Sequence, residues 1–157
     1  IQVDRAQTDE EVARLWRTRK ALSPALRNVA PKKINEDVVV PVSRIPALIG
    51  GLEQLAAQFG ITIVNFGHAG NGNIHVNLLV DPDDAGQMAA ANPCLDAVFD
   101  LVLSLDGSLS GEHGIGWIKR DFVSRELDTT SLRLMAAIKR QFDPDGILNP
   151  GVGFPDA

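Results

Sequence analysis

The sequence predicts an α+β fold, a ferredoxin-like antiparallel sheet with helices on one face and a helical tail at its C-terminal end. Three observations predict it. Apolar periodicity runs strand, helix, strand, strand, helix, short strand, the order of a split βαβ unit. The segment between the first two strands carries an unbroken helical stripe of Ile45, Leu48, Ile49, Leu52, Leu55, Ala56 and Phe59. The third strand is two-faced, with Ile74, Val76 and Leu78 alternating against Asn73, His75 and Asn77. A sheet covered on one face reads this way, and its other face is left free to cover something.

The elements follow in order. Thr8-Asp-Glu-Glu11 is a capping box opening a helix through Val12, Leu15 and Trp16 that should stop near Leu22, before Ser23-Pro24. Arg19 lies on the same face as that stripe. It either snorkels from the core's edge or reaches an anionic ligand. A polar loop is expected over Arg27 to Asn35, then a strand over Asp37–Pro41. Ser43 should cap the next helix, with Pro46 in its first turn and Gly60 at its end. Strands are expected over Ile61–Phe66 and Asn73–Val80, a helix over Leu95–Leu105, and a short extended piece over Ser108–Ser110. The tail should be a helix over Asp128–Gln141 with Leu134, Met135, Ile138 and Phe142 facing inward, closed by the turns Asp143-Pro-Asp-Gly146 and Asn149-Pro-Gly151.

Composition bounds the function. With 157 residues the chain holds one ordinary domain, and 15 basic against 20 acidic residues give a net charge of -5. There is no basic stripe interleaved with aromatics, and Tyr is absent, so nothing points to nucleic acid. No apolar run approaches the ~20 residues of a membrane-spanning helix. A single cysteine, Cys94, excludes an internal disulfide framework and reads as a small core filler. The chain begins at Ile1 and carries no Gly-rich dinucleotide fingerprint, so it reads as part of a larger protein.

The chemistry concentrates in two glycine-rich motifs, which hold all 3 histidines and six of the 14 glycines. In Gly67-His-Ala-Gly-Asn-Gly-Asn-Ile-His-Val-Asn77, His68 ends one strand and His75 lies on the next, across a glycine turn. A solvated edge strand would explain the polar face alone. Two imidazoles on the same side of strands ~5 Å apart could meet one metal ion. In Ser108-Leu-Ser-Gly-Glu-His-Gly-Ile-Gly116, the glycines suit a phosphate cradle, a plain turn, or a loop in close approach to a ligand. Glu112 and His113 ride on that loop and point different ways, so one can ligate while the other faces substrate. Two histidines and a carboxylate form a common divalent-metal set with open positions. Alone, these groups suit metal-assisted hydrolysis. With a redox cofactor from elsewhere they suit oxidation of an alcohol carbon, the metal acidifying the hydroxyl of a 2-hydroxy acid while a neutral His113 takes the proton.

Leu15-Trp-Arg-Thr-Arg-Lys20, Asn35-Glu-Asp-Val-Val-Val-Pro41, the two motifs and Asp143-Pro-Asp-Gly-Ile-Leu-Asn-Pro-Gly151 resemble, in order and spacing, the C-terminal domain of FAD-linked oxidases of the vanillyl-alcohol-oxidase superfamily. The branch is that of the glycolate oxidase flavoprotein and flavin-linked D-lactate dehydrogenases. The resemblance covers nearly the whole chain. It implies a partial cap domain over residues 1–157, with the FAD-binding domain and the first part of the cap upstream. It implies His68, His75 and Glu112 as ligands of a divalent metal (Zn or Mn), and His113 as the base. Arg19 and Asn77 are implied at the substrate, and Asn149 in the tail motif that approaches FAD. Asn71 departs from the usual Asp of the family, which puts support of a metal ligand in doubt. The implied activity is oxidation of a small D-2-hydroxy acid, of the glycolate or D-lactate class, to the 2-keto acid. The resemblance further implies an iron–sulfur or other electron-accepting partner and a cytoplasmic place, with room for peripheral attachment to the inner membrane through that partner. It leaves a homodimer open. Three readings stand beside it: a stand-alone metal-binding or hydrolase domain, a non-catalytic cap kept for subunit contacts, and a flavin-dependent reaction without net redox, as in the alkyl-glycerone-phosphate synthase relatives.

Overall fold

The computed structural model describes residues 3–153. Helix α1 (Asp9–Ala25) opens on the capping box, in which Thr8 Oγ1 accepts from Glu11 N and Glu11 Oε2 accepts from Thr8 N. Three acidic residues in its first turn complement the helix dipole. The helix runs through Pro24 instead of stopping before Ser23. Proline's fixed φ is itself helical, so one backbone bond is lost near an end that was about to fray.

Strand β1 (Lys32–Val39) starts earlier than the apolar run suggests, taking in residues expected as loop. The reason lies in its partner. Strand β3 (Asn73–Val80) offers eight positions, and β1 fills all of them from Lys32↔Val80 to Val39↔Asn73. A 3-10 turn over Val42–Arg44 leads into α2 (Ile45–Phe59), with Arg44 N donating to Pro41 O. That turn occupies the place of the expected Ser43 cap, and no side chain caps the helix. Gly60 ends it at φ 64.

Strand β2 (Thr62–His68) is shifted toward the glycine turn relative to expectation, so His68 closes the strand. Helix α3 (Ala85–Ser104) begins ten residues earlier than its apolar pattern, because Asp84 caps it by accepting from Gly86 N and Gln87 N. Pro93 costs it a single internal bond. Cys94 is buried in this helix as a filler.

The sheet order is β1-β3-β2, antiparallel throughout. An isolated bridge, Val39↔Ser108, marks the place of a fourth strand on the free side of β1. One face, carrying Val38, Ile74, Val76, Leu78 and Val80, packs against Leu48 and Leu52 of α2 and Leu95, Val98, Phe99 and Val102 of α3. Gly51 lets the two helices close up, since a β-carbon there would stand 2.6 Å from Leu101 Cδ2.

The opposite face is only partly free. Helix α1 lies across it, with Arg19 over the Phe66 ring and Ser23 Oγ accepting from Lys33 Nζ at 2.7 Å. No α1 residue is buried, and Trp16 remains 57% exposed. The expectation of helices on one face therefore holds for α2 and α3 but not for α1.

After α4 (Val123–Glu126), helix α5 (Thr129–Phe142) departs most from expectation. Met135 is half-buried, but Leu134, Ile138 and Phe142 are exposed, Phe142 at 81%. Periodicity specifies that a face is apolar, not that the same chain covers it. No helix among the described residues is long and apolar enough to cross a membrane.

Candidate metal centre and substrate site

The second sheet face collects the reactive side chains because strand pairing fixes their parity. His75 stands opposite Asp37 on one side and Phe66 on the other. His68 pairs with Asn73, which makes it the diagonal neighbour of His75 on the same face. Their ring centroids are 5.8 Å apart. This approach needs Gly67, where a β-carbon would lie 2.2 Å from Asn73 O. Asn71 serves the turn itself, its Oδ1 accepting from Asn73 N at 3.2 Å.

The Gly111–Gly116 loop completes the site. Glu112 Oε1 lies 3.1 Å from His75 Nε2 and 3.8 Å from His68 Nε2. One donor atom from each of the three residues falls within 4.8 Å of the others, a spacing that suits a shared divalent ion. Burial pushes the His75 imidazole below its ordinary pKa, although Glu112 pulls the other way. A neutral ring with a free lone pair is what ligation requires. The donor set and its chemistry fit a divalent metal.

His113 stacks on His75 with centroids 5.3 Å apart. Its Nε2 is 3.9 Å from Glu112 Oε1 and its Nδ1 3.5 Å from Asp37 Oδ1. His113, Glu112, His75, Phe66, Asn35, Ser23 and Arg19 line one open cavity of about 230 Å3. That is below the ~300–1,000 Å3 typical of drug-sized ligands. Among the described residues no carboxylate pairs with Arg19, whose guanidinium rests 5.2 Å from the Phe66 ring centroid. Beside it, a larger cavity of about 390 Å3 is lined by Val12, Leu15, Trp16, Arg19 and His68.

Five of the residues singled out in the sequence therefore meet: His68, His75, Glu112, His113 and Arg19. Asn77 shares their face but is fully buried, its amide donating to Val64 O and accepting from Asn35 Nδ2 at 2.8 Å. Asn35, not Asn77, reaches the cavity wall. Asn149 lies in the tail turn at φ 46, on the segment anchored where Arg120 Nη1 donates to Gly151 O.

Two participants escaped the sequence reading. Asp37 is fully buried and accepts from the backbone N of Gly111, Glu112 and His113 through Oδ2. Lys119, 2% exposed, donates to Asp37 Oδ1 at 2.7 Å. Burial alone would raise the Asp37 pKa. The Lys119 ammonium and the N–H groups of Glu112 and His113 outweigh it and hold the carboxyl well below the usual carboxylate range. The legible signals were an acid leading straight into Val-Val-Val and a lysine after Trp117-Ile118.

The chain is 35% identical over 154 residues to glycolate oxidase subunit GlcD of Bacillus subtilis, covering 98% of this chain and 33% of that protein. It is 34% identical to GlcD of Escherichia coli K12, covering 96% of this chain and 30% of that protein. It is also 34% identical to the D-2-hydroxyglutarate dehydrogenase of Stutzerimonas stutzeri, covering 93% of this chain and 32% of that protein. The chain thus spans about a third of the length of these relatives. The family model for FAD linked oxidases, C-terminal domain, matches residues 1–152, and the chain belongs to that family.

Proposed function

We propose that this chain is the substrate-side part of a flavin-dependent dehydrogenase that oxidises a small D-2-hydroxy acid, of the glycolate or D-lactate class, to the 2-keto acid. The observation that carries the reading is one cavity lined by Arg19, His75, Glu112 and His113, with His68, the third member of the donor set, at the neighbouring cavity that Arg19 also lines. FAD, bound by protein outside this chain and approached by Asn149 in the tail, supplies the acceptor for the two electrons. A divalent ion, zinc or manganese, held by His68, His75 and Glu112, supplies electron withdrawal from the oxygens of the acid.

The remaining work falls to side chains of this chain. Arg19 receives the substrate carboxylate, with the Phe66 ring beneath its guanidinium limiting its swing. Asn77, locked into the sheet, orients Asn35 at the cavity wall. His113 accepts the hydroxyl proton as the carbon gives up its hydride, which balances the reaction at a keto acid, a reduced flavin and one proton. The domain boundaries follow the same reading: residues 1–157 form part of the cap. Two of the relatives are named as subunits of glycolate oxidase. That supports a partner subunit for this chain; an electron-accepting one, iron–sulfur or other, and a cytoplasmic place at most peripheral to the inner membrane belong to the same proposal.

The test is the full-length gene product, loaded with FAD and either zinc or manganese, mixed with a panel of D- and L-2-hydroxy acids and a dye acceptor. Bleaching of the flavin by a small D-acid is expected. Failure of every acid to bleach it would overturn the reading. In the same protein Arg19→Ala should chiefly raise the half-saturating acid concentration, because a carboxylate clamp acts in the ground state as well as the transition state. A steep loss of rate at saturation with unchanged half-saturation would contradict the clamp.

A further inference from the structure

We infer that Asp37 is the positioning residue of this site: it holds Glu112 and His113 in register with His75 and turns His113 so that Nε2 faces the acid. The inference rests on the reading of His113 as the proton acceptor. Residues 111–113 belong to no strand or helix. Instead, their three successive backbone N–H groups converge on Asp37 Oδ2, at 2.7, 2.5 and 3.1 Å. Neutral acceptors at a turn rarely gather three donors, whereas a carboxylate oxygen does so readily.

Asp37 is also placed to transmit register. It is the cross-strand partner of His75, so the post that tethers the loop and the histidine that meets Glu112 stand one strand spacing apart. Lys119 then locks the post from behind, donating to Asp37 Oδ1 and to its main-chain carbonyl, each at 2.7 Å. Glu36 adds a third charge, 3.5 Å from Lys119 Nζ. A buried ionic group of this kind is often no better for stability than an apolar one of equal volume. Its geometric effect is the clearer reason for it to be there. Gly111 admits the arrangement, since a β-carbon there would stand 2.5 Å from Asn73 Oδ1.

The second effect falls on the imidazole. His113 Nδ1 is 3.5 Å from Asp37 Oδ1, longer than a formed hydrogen bond but of the kind that tightens when substrate fills a site. A ring that donates from Nδ1 to a carboxylate keeps the lone pair on Nε2. Asp37 therefore selects the tautomer able to accept a proton from the cavity side.

The experiment uses full-length, FAD-loaded protein with metal in excess and compares Asp37→Asn, His113→Ala and the double variant. Asp37→Asn should keep FAD and slow flavin reduction at saturating acid by about 10–100-fold, the usual effect of removing an orienting partner. Half-saturation, governed by Arg19, should change little. Without added metal, Asp37→Asn should also retain less bound ion, through displaced Glu112. The decisive readout is coupling: in the His113→Ala background, Asp37→Asn should cause no further slowing. Full additivity, or a wild-type rate in Asp37→Asn beside a slow His113→Ala, would overturn the inference. A wild-type rate in His113→Ala alone would instead sink the base reading on which it rests. Because Asp37→Asn leaves Glu36 as the one carboxylate beside the Lys119 ammonium among the described residues, Asp37→Asn/Lys119→Met, which removes the ammonium as well, is run alongside and should show the same slow step with FAD retained. Loss of FAD from both variants would mean that Asp37 only holds the fold, and would equally overturn it.

Discussion

His113→Ala in the full-length protein is expected to leave FAD and metal content near wild type while slowing flavin reduction by a saturating acid about 10²–10⁴-fold, the usual contribution of a general base. At about 1.36 kcal/mol per tenfold, that is roughly 2.7 to 5.4 kcal/mol of transition-state stabilisation. The geometry separates this effect from ligation. The three residues whose donor atoms gather for an ion are His68, His75 and Glu112, and His113 stacks beside them on the cavity wall. Its side chain is 48% exposed, so truncation opens no core cavity and should not unfold the domain. Stopped-flow bleaching of the flavin measures the rate, and metal analysis on the same sample checks the separation. A normal rate would exclude His113 as the acceptor, and a rate lost together with the metal would make it a ligand.

Removal of the metal should be the other large effect. His75→Ala is expected to bring bound zinc or manganese from one per chain to almost none, and to slow reduction by at least ~10²-fold, since charge stabilisation by such an ion amounts to several kcal/mol. His75 is the ligand to change first. Its side chain is 9% exposed against 45% for His68, so the sheet fixes it most firmly. Chelation of the wild-type protein should cause a similar loss, reversed by adding back the ion, and His75→Ala should not recover at the same concentration. Full activity after chelation, with no metal left in the sample, would refute the assignment and leave family membership intact.

Much of this was legible along the chain. The apolar stripe from Ile45 to Phe59 and the alternation from Asn73 to Val80 specify the helix and the two-faced strand wherever they pack, because side-chain periods of 3.6 and 2 are local properties. The same alternation placed His75 on a polar face, and the glycine turn after His68 brought the second imidazole to it. Element ends were less legible. The full length of β1 depends on eight partners supplied by β3, and the early start of α3 on the Asp84 cap rather than on its apolar run. The tail helix shows the limit most plainly. Its stripe is written in Leu134, Ile138 and Phe142, yet these remain exposed.

What the sequence determined by itself was the α+β order, the polar sheet face with its two histidines, and the glycine-rich loop bearing Glu112 and His113. What only the tertiary structure decided was how the loop meets the sheet. Asp37 precedes Gly111 by 74 positions, and no periodicity links an acid in one strand to three N–H groups so far along the chain. Lys119 reaches the same acid from 82 positions away. Such contacts become visible only when strand pairing has fixed which way each side chain points and a buried charge has had to find its partners.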